Sequence, residues 1–138
     1  MPPVTIRMTL PSKPNAIGRV ESFLHKIEKR VHLDEIQMHK LMVSLTEAVN
    51  NAIVHGNKSN PAKKVRVVCI CLPDELVITI ADQGRGFRLH DVKNPLDEEN
   101  LLRTSGRGIF LMKTLMDKVE YEMGKSGSTV TLVMELKK

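Results

Sequence analysis

Residues 65–81, VRVVCICLPDELVITIA, constrain the fold more than any other stretch. Two apolar runs, each the length of a strand, flank a short turn around Pro73 and Asp74, the pattern of a hairpin. Side chains alternate along a strand. In the first run Val67, Cys69 and Cys71 therefore share one face, and Val68, Ile70 and Leu72 share the other. A strand that is apolar on both faces is either central in a covered sheet or the surface of a dimer. The chain must bury a sheet, and it needs other elements to cover it.

The remaining sequence supplies them. VTIRMTL (residues 4–10) alternates and reads as a first strand. PSKPN breaks it, and Asn15 stands where a helix N-cap belongs. Ile17, Val20, Phe23, Leu24 and Ile27 then recur at spacings of three and four, which predicts an amphipathic helix to about Val31. Asp34 is the expected N-cap of a second helix that runs to about His55, with Gly56 as its stop. A third helix is expected over about residues 108–116. Two strands joined by GKSG close the chain. In the first, Val119, Tyr121 and Met123 alternate with Glu120 and Glu122; in the second, Val130, Leu132, Met134 and Leu136 alternate with polar positions. One face of this hairpin is expected to be buried. The sum is an α+β fold, a two-layer sandwich of helices on one face of a mostly antiparallel mixed sheet. At 138 residues a single domain is expected, since a chain of this size buries roughly two-thirds of its unfolded surface without a metal or disulfide.

Composition excludes several function classes. There are only four aromatic residues, Phe23, Phe87, Phe110 and Tyr121, too few for a platform that stacks nucleic-acid bases. The net charge of +5 is spread along the chain; it suits anions without implying nucleic acid. No apolar run reaches the length of a membrane span and the N-terminus lacks a secretory signal pattern. Cys69 and Cys71 are too close for an ordinary disulfide and have no second pair for a zinc site. Buried thiols in a reducing cytoplasm are the expectation.

Three clusters carry candidate chemistry. The first is LTEAVNNAIVHGN, residues 45–57. Glu47 and Asn51 are four apart and meet on one helical face, beside an apolar stripe of Leu41, Leu45, Ala48 and Ala52. A carboxylate there can act as a general base, and an amide oxygen suits Mg²⁺. Taken alone the pair also fits a solvated helix face. His55, four residues on, reads as a structural histidine near the helix end. The second cluster is DQGRGF, residues 82–87, directly after a strand. Asp82 can accept hydrogen bonds from a ligand amino group, and Gly84 and Gly86 allow close approach. Alone it also fits an ordinary turn. The third is TSGRGIFLMKTLMD, residues 104–117. Ser105, Gly106 and Gly108 precede a helix, a natural phosphate site, with Arg103 and Arg107 adding positive charge. Between the second and third clusters lies a long polar loop, the kind of segment that often carries function.

The order and spacing of the three clusters resemble the N, G1 and G2 boxes of the ATP-binding superfamily shared by gyrase, the Hsp90 chaperone, histidine kinases and MutL, whose domain is the Bergerat fold. Within that superfamily, EAVNNAIVHGN, DQGRGF, SGRGIFLMKTLMD and GSTVTL resemble the anti-sigma factor serine kinases, the SpoIIAB and RsbW group. The resemblance implies a cytoplasmic serine/threonine protein kinase that uses ATP/ADP and Mg²⁺. By likeness, Glu47 is the general base and Asn51 the Mg²⁺ ligand. Asp82 takes the adenine amino group, and Thr129 supports adenine through a shared water. Gly84 and Gly86 shape the adenine pocket, and Gly106, Arg107 and Gly108, with Ser105, face the phosphates from a mobile lid at about residues 87–106. The implied substrate is a STAS-domain anti-sigma factor antagonist, with a sigma factor and a second copy of the chain as further partners and neither nucleic acid nor membrane involved. A nucleotide-dependent switch that binds a partner without phosphate transfer is the alternative. Asn50 competes with Asn51 for the metal, and the role of Arg85 is open.

Overall fold

The computed structural model describes residues 3–84, 108, 110–124 and 126–136. Strand β1 (Val4–Pro11) leads through a 3₁₀ turn (Pro14–Gly18) into α1 (Arg19–Glu28). Then come α2 (Glu35–Asn51), a π-helical turn (Ala52–Gly56), β2 (Lys64–Cys71) and β3 (Glu75–Ala81). Helix α3 is helical at residues 108 and 110–115. Strands β4 (Lys118–Gly124) and β5 (Gly127–Glu135) end the described chain.

The strand order is β1-β2-β3-β5-β4. All four pairings are antiparallel. The expected mixed character is therefore not found among the described strands: β1 to β3 zigzag, and β5 returns beside β3 in the opposite direction with β4 outside it. The expected two layers form because each inner strand has one face against the helices. Val65, Val67, Cys69 and Cys71 of β2 are buried there, as are Leu76, Ile78 and Ile80 of β3 and Val130, Leu132 and Met134 of β5. Phe23, Leu24 and Ile27 of α1 and Leu41 and Leu45 of α2 cover them. The two cysteines lie 4.0 Å apart, sulfur to sulfur, as free thiols. Burial pushes the Cys69 thiol above its ordinary value, so it stays protonated and unreactive. On the outer face Val68, Ile70 and Leu72 are only half-buried.

Three local expectations need correction. Asn15 does not cap a helix: it is exposed within the 3₁₀ turn, which Lys13 precedes with no side-chain cap and Pro14 opens. Proline fits a first turn because it lacks the N–H that would go unpaired. Helix α1 stops at Glu28 rather than Val31; the amides of Arg30 and Val31 both donate to the Ile27 carbonyl, tightening the exit. Third, the alternation in β4 does not bury its apolar face. Tyr121 and Met123 are each 42% exposed, because β4 is the sheet edge and the helical layer covers it only in part.

Candidate functional site

Helix α2 is the backbone of the site. Its start is fixed by a capping box: Asp34 Oδ1 accepts from the Gln37 amide at 2.7 Å, and Gln37 Oε1 accepts from the Asp34 amide at 3.1 Å. Its apolar stripe of Leu41, Leu45 and Ala48 is buried, and Glu47 and Asn51 sit half-buried beside it. After Asn51 the chain widens into the π-turn, a deviation often found at functional sites. His55 is exposed on that turn, so it is not part of the core. Gly56 ends the turn, as expected of a stop, but it also has a contact that the sequence did not suggest. A methyl group on Gly56 would overlap Asp82 Oδ2, and one on Gly84 would overlap the Gly56 carbonyl. Only bare backbone lets the end of β3 close against the end of α2.

Asp82 is thereby held at the mouth of the sheet. Its Oδ1 accepts from the amides of Gly84 and Ser128, each at 3.0 Å. Burial pushes the Asp82 carboxyl above the usual carboxylate range, while the Ser128 and Gly84 amides and the Lys63 charge oppose that rise. Ala48, Asn51 and Ala52 of α2, Ile80 and Asp82 of β3, Ser128 and Val130 of β5, Tyr121 of β4 and Met112 of α3 line one cleft. Asn51 rather than Asn50 is the asparagine in that lining. The third cluster reaches the same place: a methyl on Gly108 would lie 2.8 Å from Glu47 Oε2 and 3.1 Å from Asn51 Nδ2. So Glu47, Asn51, Asp82, Gly84 and Gly108, far apart in sequence, converge.

Thr129 does not join them. It pairs with Ala81 in register and points to the outer face, while its neighbour Ser128 is 4% exposed and lies with Asp82. A one-residue error in a strand flips the face. The alternation of Val130, Leu132 and Met134, read two residues back, was the signal for Ser128. Gly86, Arg103, Ser105, Gly106, Arg107 and the lid at about 87–106 lie outside the described residues, as does Arg85.

Asn57 is a structural support that sequence reasoning missed. It is 1% exposed. Its Nδ2 donates to Ser12 Oγ at 2.8 Å and to the Lys64 carbonyl at 3.0 Å, and its Oδ1 accepts from the Gln83 amide at 2.7 Å. One amide thus ties the exit of the π-turn to the residue after β1, to the first residue of β2 and to the residue after Asp82. An asparagine after glycine reads locally as a turn, so nothing nearby in sequence marks this role.

The donor set fits a hydrated divalent cation. The side chains of Asn51, which carries one amide oxygen, and Glu47 both meet Gly108, and no group of three or more acidic, histidine or cysteine side chains forms a cage among the described residues. Magnesium keeps several waters and takes few protein ligands.

A family model described as the histidine kinase-like ATPase domain matches residues 10–134. A serine-protein kinase RsbW of Bacillus licheniformis is 32% identical over 133 residues, 92% of this chain and 82% of that protein. An anti-sigma F factor of Oceanobacillus iheyensis is 34% identical over 122 residues, 86% and 81% of the two chains. The crystal structure of the RsbU and RsbW domains of a Mycobacterium tuberculosis protein shares the fold, with a TM-score of 0.68 at 20% identity over 97% of this chain and 32% of that one. The chain belongs to the histidine kinase-like ATPase family and, within it, to the RsbW and anti-sigma F factor group. It is a protein serine/threonine kinase, and nucleotide use comes with that membership.

Proposed function

We propose that the chain phosphorylates a serine or threonine of a STAS-domain anti-sigma factor antagonist, using Mg²⁺-ATP bound in the cleft between α2 and the sheet. The observation that carries this reading is the meeting of Glu47 and Gly108 at Asn51, which lines one cleft together with Asp82. Among the described residues two backbone amides engage Asp82 Oδ1, and Oδ2 takes the adenine amino group. Ser128 takes the place at the adenine end first given to Thr129. Glu47 accepts the proton of the attacking hydroxyl. Asn51 holds the cation, which when bound neutralises charge on the phosphates. Gly108, in α3, lets phosphate approach the helix amides closely; the family resemblance assigns phosphate contacts to Arg107 and Gly106 as well. We also infer that the kinase is cytoplasmic, that it holds a sigma factor in a partner switch, as the names of its relatives suggest, and that it forms a homodimer. The half-buried row of Ile70, Val77 and Val133 on the outer sheet face supports that last point.

The test is phosphate transfer from labelled Mg²⁺-ATP to candidate STAS-domain proteins. Label is expected on the partner, and Glu47→Ala is expected to lower the rate by at least about 100-fold without abolishing nucleotide binding. Transfer at the wild-type rate in Glu47→Ala would overturn the assignment of the base. Nucleotide-dependent partner binding with no label on any partner would favour the non-catalytic switch.

A further inference from the structure

Tyr121 is the chain's single tyrosine, and there is no tryptophan. It lies on the edge strand β4 opposite Val130, and Val130 lies opposite Ile80. Cross-strand partners point to the same face. Ile80, Val130 and Tyr121 therefore form one row across β3, β5 and β4, and all three line the cleft that contains Asp82 and Asn51. The inner two members are buried, whereas Tyr121 is 42% exposed. The ring is close enough to Asp82 for that charge, after burial, to push the phenol above its ordinary value. An aromatic ring at the open end of an apolar floor, beside a carboxylate, has a partner chemistry: a flat ring that carries an amino group.

We propose that Tyr121 is the outer aromatic wall of the nucleotide-base subsite, packing against the purine whose amino group Asp82 holds. The proposal rests on the Mg²⁺-ATP reading of the cleft and adds a residue to it. The division of labour follows from the side chains. Asp82 selects, because a carboxylate oxygen accepts in a fixed direction. Ile80 and Val130 supply an apolar floor. Tyr121 supplies affinity without selectivity, because every base has a π-face. A tyrosine that only packed the sheet edge would contribute to stability and leave base affinity untouched.

The missing tryptophan makes the test direct, since tyrosine emission of the full chain reports on this one ring. Mg²⁺-ADP and free adenosine are titrated in parallel by fluorescence and by calorimetry. The emission is expected to change and to saturate with the calorimetric isotherm. Tyr121→Ala is expected to bind both ligands about tenfold more weakly, and Tyr121→Phe, which keeps the ring, within about threefold of wild type. Thermal melting of each variant identifies any loss of fold. Wild-type emission that stays constant while heat is released, or wild-type affinity in Tyr121→Ala, would overturn the proposal. A wild-type chain that releases no heat with Mg²⁺-ADP would instead remove the ATP-site reading itself, and this proposal with it.

Discussion

The two ends of α2 are built by different rules. At its start, Asp34 and Gln37 exchange hydrogen bonds across three positions, and the helix begins where its own sequence says it should. At its far end the helix neither meets a left-handed glycine nor simply frays. It widens into a π-turn and stops on Asn57. The partners of Asn57 are Ser12, Lys64 and Gln83, which lie 45, 7 and 26 positions away. The chain then reverses at Lys58 and Ser59, both in the left-handed region. The capping box is a local device, and the side-chain bonds of Asn57 are tertiary ones. The candidate site sits at the tertiary end, where helix, strand and loop must be held together to place Glu47, Asn51 and Asp82.

That contrast can be attacked from either side. The largest effect is expected from Gly84→Ala at the tertiary end. Its methyl has no space beside the Gly56 carbonyl, so a loss of about 3 kcal/mol or more should appear in urea unfolding, with nucleotide binding lost as well. Asn57→Ala should cost about 2 kcal/mol, because Gln83 N–H and the Lys64 carbonyl lose a buried partner. It should also weaken nucleotide binding in calorimetry, since Gln83 directly follows Asp82. At the local end, Asp34→Ala should cost about 1 kcal/mol and leave nucleotide affinity unchanged. Equal losses of affinity in Asp34→Ala and Asn57→Ala would erase the distinction. The smallest effect concerns pH. The carboxyl of Asp82 is raised by burial, so its contribution to stability is full below the ordinary carboxylate value and is lost as pH rises through the raised one. Asp82→Asn should remove that slope from a stability–pH profile. In the wild type, nucleotide affinity should fall as pH drops through the same raised value, because the protonated carboxyl no longer accepts in both directions.

The same contrast explains what could be read in advance. Five strands and three helices were legible, because periods of two and of three to four survive in single segments. Asp34 was legible as a cap. Glu47, Asn51, Asp82 and Gly108 were legible through their order in the chain and a family resemblance, although each cluster alone also fitted a plain surface. Whatever depended on distant partners was not legible. Gly56 looked like a helix stop, but its lack of a side chain also makes room for Asp82. Asn57 looked like turn punctuation and proved to be the knot. The exposure of Tyr121 follows from β4 being the edge strand, which the alternation within β4 does not contain. Thr129 was matched to the adenine site by resemblance alone, although the alternation farther along β5 turns it outward and brings Ser128 to the buried face.

The most direct measurement is a crystal structure with Mg²⁺-ADP bound. The adenine amino group is expected within hydrogen-bond distance of Asp82 Oδ2, the cation on the Asn51 side-chain oxygen, and the phosphates against Gly108. A nucleotide bound elsewhere on the molecule, or a purine in this cleft with its amino group turned away from Asp82, would contradict the convergence on which the kinase reading stands.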